Sequence, residues 1–399
     1  MSFASVFHQV PWKERYEQCL STTPEQVEEA LEGSSHPLAR FERLISPAAG
    51  DYLEALCQLS QSITQQRFGK VIRLFAPLYL SNECINNCSY CGFSRDNPIL
   101  RVTLKTEEVL QEAKALAEQG FRHILLVAGE HPKFVSNGYL EDCIRSLAHF
   151  IPSLSLEVGP MEQEDYVPLV RSGAEGLVVY QETYDREIYR TMHTAGPKKD
   201  FDWRLDTPER AFDAGFRRLG IGALFGLADW RTEAIALAAH VEHLLRRCWT
   251  AQVTLSFPRL RPCAGSFEPL TLFDDRSLVQ CIAAFRLCFP DVGQVLSTRE
   301  PASLRDGLIP LGITTMSAGS HTEPGGYTGA GQDNLHQTVR GRIQNENLPF
   351  EGTHQEKRKA TGQFDIADDR SPSEMADVIL KRGYEPVWKD WDASILSPS

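Results

Sequence analysis

From Ile72 onward, short apolar and β-branched runs alternate with amphipathic segments. Eight such runs fall at 72–80, 122–128, 154–158, 176–181, 218–222, 252–257, 294–297 and 313–316. The segments between them carry helix signals. Thr106 is followed by Glu107 and Glu108 in a first turn, and Gly120 stops that helix. Asp206-Thr207-Pro208-Glu209 starts another, and Arg204 opens this helix over 205–215, which Gly215 ends. Strand–helix alternation implies parallel strands joined by crossover helices. Eight repeats predict an α/β fold, a closed (β/α)8 TIM-type barrel. The alternative is an open doubly wound sheet. It is weakened because no G-x-G-x-x-G follows any strand.

The flanks read differently. Residues 1–70 are helical in pattern. Thr23-Pro24-Glu25-Gln26 has a capping Thr, Pro at the first helical position and Gln three after the cap, with Gly33 as the stop. A longer helix follows over about 48–68, and the whole predicts a layer covering one end of the core. Beyond the barrel region, 71–320, a C-terminal extension spans 321–399. Residues 321–363 are rich in Gly, Asn, Gln, Thr and charge, so they read as a loop: a lid, a partner-contacting segment or a linker. Ser371-Pro372-Ser373-Glu374 starts a last helix to about Arg382. The aromatic ending, 385–391, is expected to pack on the barrel.

Composition narrows the class. The chain has 399 residues, 42% hydrophobic and 24% charged, ample for a large core. A net charge of −12 without a basic run disfavours a nucleic-acid groove. No apolar run approaches the roughly 20 residues of a membrane span, and Met1 to Pro11 is too polar for a signal peptide. A cytoplasmic setting is expected. Ten cysteines in a chain this long are not a secreted disulfide framework.

Three of those cysteines change the picture. Cys84, Cys88 and Cys91 stand at C-x3-C-x2-C spacing on the loop after the first run. Three thiolates on one loop suit a metal centre with one open position. Structural zinc prefers four ligands, usually in two pairs, and no second C-x-x-C exists here. A cubane iron–sulfur cluster normally takes four cysteines. The spacing resembles that of the radical S-adenosylmethionine superfamily, which implies a [4Fe-4S] cluster whose unique iron is chelated by the cofactor S-adenosyl-L-methionine.

Barrel active sites form at the C-terminal ends of the strands, so the residues there supply further candidates. Tyr90 offers a ring to stack on adenine. Ala128-Gly129-Glu130 resembles the superfamily's Gly-Gly-Glu segment, with Ala in place of the first Gly. Glu157 ends the third run, where a carboxylate among apolar residues needs a partner. Gln181 and Glu182 follow the fourth run and can reach a ribose hydroxyl. Arg204 is placed like the arginine of biotin-synthase-like enzymes that binds the cofactor carboxylate, a task its fork suits. Gly222, Ala223 and Gly226 would let backbone approach the adenine. Arg299, with Ser317 and Ser320, is a candidate clamp for a substrate α-carboxylate; a structural ion pair is the alternative for Arg204, Arg299 and Glu157.

Several segments together resemble the tyrosine lyases, the 2-iminoacetate synthases of thiazole and thiamine biosynthesis within the radical S-adenosylmethionine aromatic amino acid lyases. They are Pro77-Leu78-Tyr79-Leu80-Ser81, the cysteine loop with Gly92-Phe93-Ser94, Tyr180-Gln181-Glu182-Thr183-Tyr184, Gly196-Pro197-Lys198-Lys199-Asp200-Phe201-Asp202, Phe216-Arg217-Arg218-Leu219-Gly220, Met316-Ser317-Ala318-Gly319-Ser320 and Trp388-Lys389-Asp390-Trp391-Asp392. The resemblance implies Cα–Cβ cleavage of L-tyrosine to 2-iminoacetate and p-cresol. It also implies a thiazole synthase partner and a reducing flavodoxin- or ferredoxin-like electron donor. No cysteine follows Cys288, which disfavours relatives with a second cysteine-bound cluster. A tryptophan lyase and a non-enzymatic iron–sulfur or zinc scaffold are the remaining alternatives.

Overall fold

The computed structural model describes residues 2–33, 36–339, 342–344 and 359–388. Eight parallel strands form the barrel. They are β1 (Val71–Ser81), β2 (His123–Ala128), β3 (Ser153–Glu157), β4 (Ala174–Glu182), β5 (Arg218–Ala223), β6 (Gln252–Ser256), β7 (Gly293–Leu296) and β8 (Thr315–Ser317). Each pairs with the next, and β8 pairs with β1 to close the ring, Arg73 opposite Thr315 and Phe75 opposite Ser317. Strands of a closed parallel barrel are covered outside by helices and filled inside by side chains. Two-sided burial favours apolar runs such as Ile124-Leu125-Leu126-Val127, whereas Ser153–Glu157 and Gln252–Ser256 alternate apolar and polar residues.

The outer face follows from the same chemistry. Helix Trp230–Arg247 buries a face of Ala, Ile, Leu and Val, and helix Asp275–Cys288 is buried over almost its whole second half. Helices of the N-terminal segment pack against these two. Phe41 meets Phe285 at 4.3 Å, and the Arg40 guanidinium donates to the Leu287 carbonyl at 2.8 Å. The helix expected over 48–68 divides into a 3-10 turn, Ala48–Tyr52, and a helix, Leu53–Phe68. Arg204 does not open the helix before Gly215. It lies in a separate short helix, Phe201–Leu205, capped by Asp200, and the next helix is Thr207–Ala214.

The described parts of the polar stretch after 320 are tied to the barrel by hydrogen bonds. Tyr327 is held by its hydroxyl on the Pro77 carbonyl, 2.7 Å, and by its N–H on Glu112, 2.9 Å. His336–Val339 pairs antiparallel with Leu100–Arg101 and with Arg342–Gln344. Residues 361–364 then run across the barrel mouth. The Thr361 N–H bonds the Leu100 carbonyl, and the Gln363 N–H bonds the Thr322 carbonyl. Helix Pro372–Lys381 follows, and a ninth strand, β9 (Glu385–Val387), pairs with the start of β1. Trp388 packs on Phe121 at 5.3 Å. Residues 345–358 and 389–399, with the Lys389-Asp390-Trp391-Asp392 motif, lie outside the described residues.

One buried ion pair ties this extension to the barrel. Arg305 and Asp368 face each other with side chains 1% exposed, and Arg305 also donates to the Ser317 carbonyl at the end of β8. Arg370 donates to Asp368 at 2.6 Å. Asp368→Ala should therefore strand a buried guanidinium and cost about 3–5 kcal/mol. Denaturant unfolding of the parent and variant measures it.

Candidate active site

The cysteine loop leaves the C-terminal end of β1 and is fastened at several points. The Ile85 N–H bonds the Glu130 carbonyl at 2.8 Å, and Asn86 donates to the Glu130 carboxylate at 2.6 Å. The buried Arg101 guanidinium donates to the carbonyls of Asn82, Phe93 and Ser94. From above, the Gln363 carbonyl accepts the Gly92 N–H at 3.0 Å, and the Gln363 amide reaches Cys91 Sγ at 3.9 Å. Cys88 is buried; Cys84 and Cys91 are partly exposed. Burial pushes all three thiols up, Cys91 to about 11, while Lys198 pulls the other way. The thiols also act on one another: Cys91 and Cys84 both raise Cys88. Among the described residues, no group of three His, Cys, Asp or Glu side chains converges as a single metal ion requires. Structural zinc prefers four ligands and this loop brings three thiols, which suits a cluster with one iron left open. Its binding would release the thiol protons.

Two adjoining cavities open beneath and beside the loop. The rim cavity is bounded by Tyr90, Cys91, Glu182, Lys198, Glu157 and Arg299. The inner cavity runs down the barrel past Phe75, Leu125, Val127 and Val295. Glu157, Tyr180, Arg299, Gln363 and Phe364 line both.

Charges are concentrated at their junction. Lys198 Nζ lies 2.6 Å from Glu182 Oε1, and Arg204 reaches the same oxygen at 3.4 Å. Burial alone would raise Glu182, but Lys198 and Arg204 outweigh it and hold the carboxyl below its ordinary value. Glu182 stands at φ 73°, where the β4–β5 register shifts by one residue. A bulge of this kind re-aims a side chain, and its strain is characteristic of functional positions. Burial also pushes Glu157 up to about 7, against the pull of Arg299.

The expected residues distribute unevenly. Arg299 lies in both cavities, its guanidinium stacked 3.4 Å over the Phe364 ring. Ser317 lines the inner cavity and accepts the Thr298 N–H at 3.2 Å. Tyr90 borders the rim cavity, its hydroxyl 2.6 Å from His193. Ala128 closes β2 beside Ser81. Gly129 and Glu130 border an outer groove with Ile85, Pro197 and Trp203. A Cβ at Gly129 would lie 2.3 Å from the Glu83 carbonyl oxygen, so glycine there lets the cysteine loop approach β2. Arg204 is buried on Glu182 and on the Tyr180 carbonyl, 2.7 Å away, and does not border either cavity. Gln181 does not face the site. Successive side chains on a strand alternate, and its amide donates outward to the Phe201 carbonyl, 3.4 Å. Ala223 is fully buried at the end of β5, and its neighbour Leu224 reaches the rim cavity instead. Sequence reasoning gave no role to Lys198, Tyr180, Gln363 or Phe364. The strand alternation that turns Gln181 outward would have pointed to Tyr180.

A closed parallel barrel with a three-cysteine loop at its C-terminal rim and a cavity beneath defines a radical S-adenosylmethionine enzyme. Residues 78–238 match the radical SAM superfamily model, and residues 256–385 match the Biotin and Thiamin Synthesis associated domain. The chain is 41% identical to a 2-iminoacetate synthase of Escherichia coli (strain K12) over 98% of its own length and 97% of that protein's. It is 40% identical to the 2-iminoacetate synthase of Salmonella typhimurium over the same shares. In structure it is similar to the FeFe-hydrogenase maturase HydG from Carboxydothermus hydrogenoformans, with TM-score 0.82 and 32% identity over 97% of this chain and 84% of that one. The chain belongs to the 2-iminoacetate synthase family.

The raised Glu157 carboxyl has a consequence for stability. Its folded value, about 7, exceeds its ordinary 4.5, so the folded state binds more protons between these values. Stability then falls as pH rises through that window. In the ligand-free protein, Glu157→Gln should be more stable than the parent at about pH 8, by up to about 3 kcal/mol, and similar at about pH 4. Urea unfolding at both pH values measures the difference.

Proposed function

We propose that this enzyme cleaves the Cα–Cβ bond of L-tyrosine to 2-iminoacetate and p-cresol, supplying the imine for the thiazole of thiamine. The supporting observation is the inner cavity. It sets a cation and a hydroxyl, Arg299 and Ser317, over an apolar shaft beside the cysteine loop. That is the polarity of an aromatic amino acid, and full-length similarity to 2-iminoacetate synthases supports the same reading.

Cys84, Cys88 and Cys91 would hold a [4Fe-4S] cluster, and the rim cavity beside Cys91 would take S-adenosylmethionine. When bound, this pair supplies a 5′-deoxyadenosyl radical. Tyr90 offers an aromatic face. Lys198, Glu182 and Arg204 form a charged wall with one excess positive charge, suited to a carboxylate on one side and a ribose hydroxyl on the other. Ala128, Gly129 and Glu130 hold the loop edge where an amino group would be received. Gln181 and Ala223 act from behind this wall rather than within it. Arg299 and Ser317 clamp the substrate carboxylate, and Glu157, ionised, accepts from its amino group. Phe75, Leu125, Val127 and Val295 enclose the ring and exclude water.

The product is a reactive imine, so a thiazole synthase that accepts it directly is the expected partner. A flavodoxin- or ferredoxin-like protein is the expected reductant. A reducing cytoplasm suits the ten unpaired cysteines.

Anaerobic reconstitution with iron and sulfide, followed by reduction with S-adenosylmethionine and tyrosine, tests the reading. It should give a brown protein and p-cresol. A colourless zinc protein, or tyrosine left intact, would overturn it. Cys88→Ala should lose cluster and turnover together. Arg299→Ala should keep the cluster while KM for tyrosine rises about 10- to 100-fold, the loss expected for a charge-assisted hydrogen bond.

A further inference from the structure

Tyr180 occupies an unusual place in the barrel. It lines the rim cavity, the inner cavity and a third cavity beneath, toward the N-terminal ends of the strands. Across the sheet it stands in register with Gly222 on β5, and Gly222 stands in register with Ser256 on β6. A Cβ at Gly222 would lie 2.9 Å from Tyr180 Cδ1 and 2.6 Å from the Ser256 carbonyl oxygen. Gly222 was expected to admit an adenine. Its missing side chain instead admits the Tyr180 ring, which lies across it with its hydroxyl within reach of the Ser256 hydroxyl. The ring forms a bar between the inner cavity and the one below.

The register places this bar opposite the carboxylate clamp. Ser256 is level with Val295 on β7, and Arg299 lies four residues further along the chain. Phe75, Leu125 and Val295 line the inner cavity down to that level. A tyrosine whose carboxylate sits on Arg299 and Ser317 therefore points its ring down this apolar shaft toward Tyr180 and Ser256. Its phenol oxygen needs a hydrogen-bond partner there, since a buried hydroxyl without one is costly. Two hydroxyls at the floor offer both a donor and an acceptor. The Tyr180 phenol stays protonated, because burial, reinforced by Glu157, raises its pKa.

We propose that Tyr180 and Ser256 are the phenol-recognition end of the substrate cavity. Tyr180 meets the substrate hydroxyl, and Ser256 is a positioning residue that orients Tyr180. The proposal rests on tyrosine being the substrate, and it names what selects tyrosine over an amino acid lacking the hydroxyl. A site that hydrogen-bonds a substrate hydroxyl rejects the analogue without it, because its own polar groups are left unpaired.

The test compares KM for tyrosine, from p-cresol formation, with the competitive inhibition constant of L-phenylalanine, using reconstituted holoenzyme. In the parent, phenylalanine should bind about 100-fold more weakly than tyrosine, or worse. Tyr180→Phe should raise KM for tyrosine about tenfold or more without weakening phenylalanine, so the ratio collapses toward one. Ser256→Ala should reduce the ratio less, and Ser256→Thr should restore it. Iron content per chain confirms that each variant folds and holds its cluster. An unchanged ratio in Tyr180→Phe overturns the proposal. So does an equal rise in both constants, which marks a purely structural role. Absence of p-cresol from the parent would instead overturn the tyrosine reading itself.

Discussion

A cluster on Cys84, Cys88 and Cys91, as proposed above, needs three thiolates on one short loop to face a common centre. Most of the structure around the barrel mouth answers to that demand. Arg101, 1% exposed, spends its guanidinium on three loop carbonyls. Asn82 is fully buried and bonds the carbonyls of Leu100 and Thr361, joining β1 to the strap above. Glu130 holds the loop with both backbone and side chain. A loop fixed this way can keep its thiols oriented before any metal arrives, which lowers the entropic cost of binding.

The same demand shapes the electrostatics. Buried thiols resist ionisation, yet metal ligation requires thiolates. Lys198 is the cation placed to favour them, and it lowers the pKa of all three. A buried ammonium is costly alone, so Glu182 partners it, and Arg204 restores a net positive charge. Tyr180, just before the bulge, keeps its register with Gly222 and lies across it.

How much of this was legible in the sequence differs by element. The strands were, because short runs rich in apolar and β-branched residues recur between capped helical segments. The cysteine loop was, because its three cysteines lie within eight residues of one another. Gln181 and Glu182 read alike as ribose contacts, although strand alternation turns Gln181 outward onto the Phe201 carbonyl. The strap was read as loop because Thr361, Gly362 and Gln363 face a cavity and loop backbones rather than a hydrophobic core. Its order comes from hydrogen bonds to residues some 260 positions away, such as Leu100, and no sequence window contains both partners. Lys198 was invisible for the same reason: its partners, Glu182 and the cysteines, meet it only in the closed barrel.

The central claim is that the three-cysteine loop holds a cluster with one iron left for the cofactor. Electron paramagnetic resonance of the reduced, reconstituted protein tests it most directly, with S-adenosylmethionine labelled with 15N at its amino group. A single [4Fe-4S]+ signal should shift on addition of the cofactor and show coupling to the labelled nitrogen. A cluster signal that ignores the cofactor, or no cluster at all, would contradict the account.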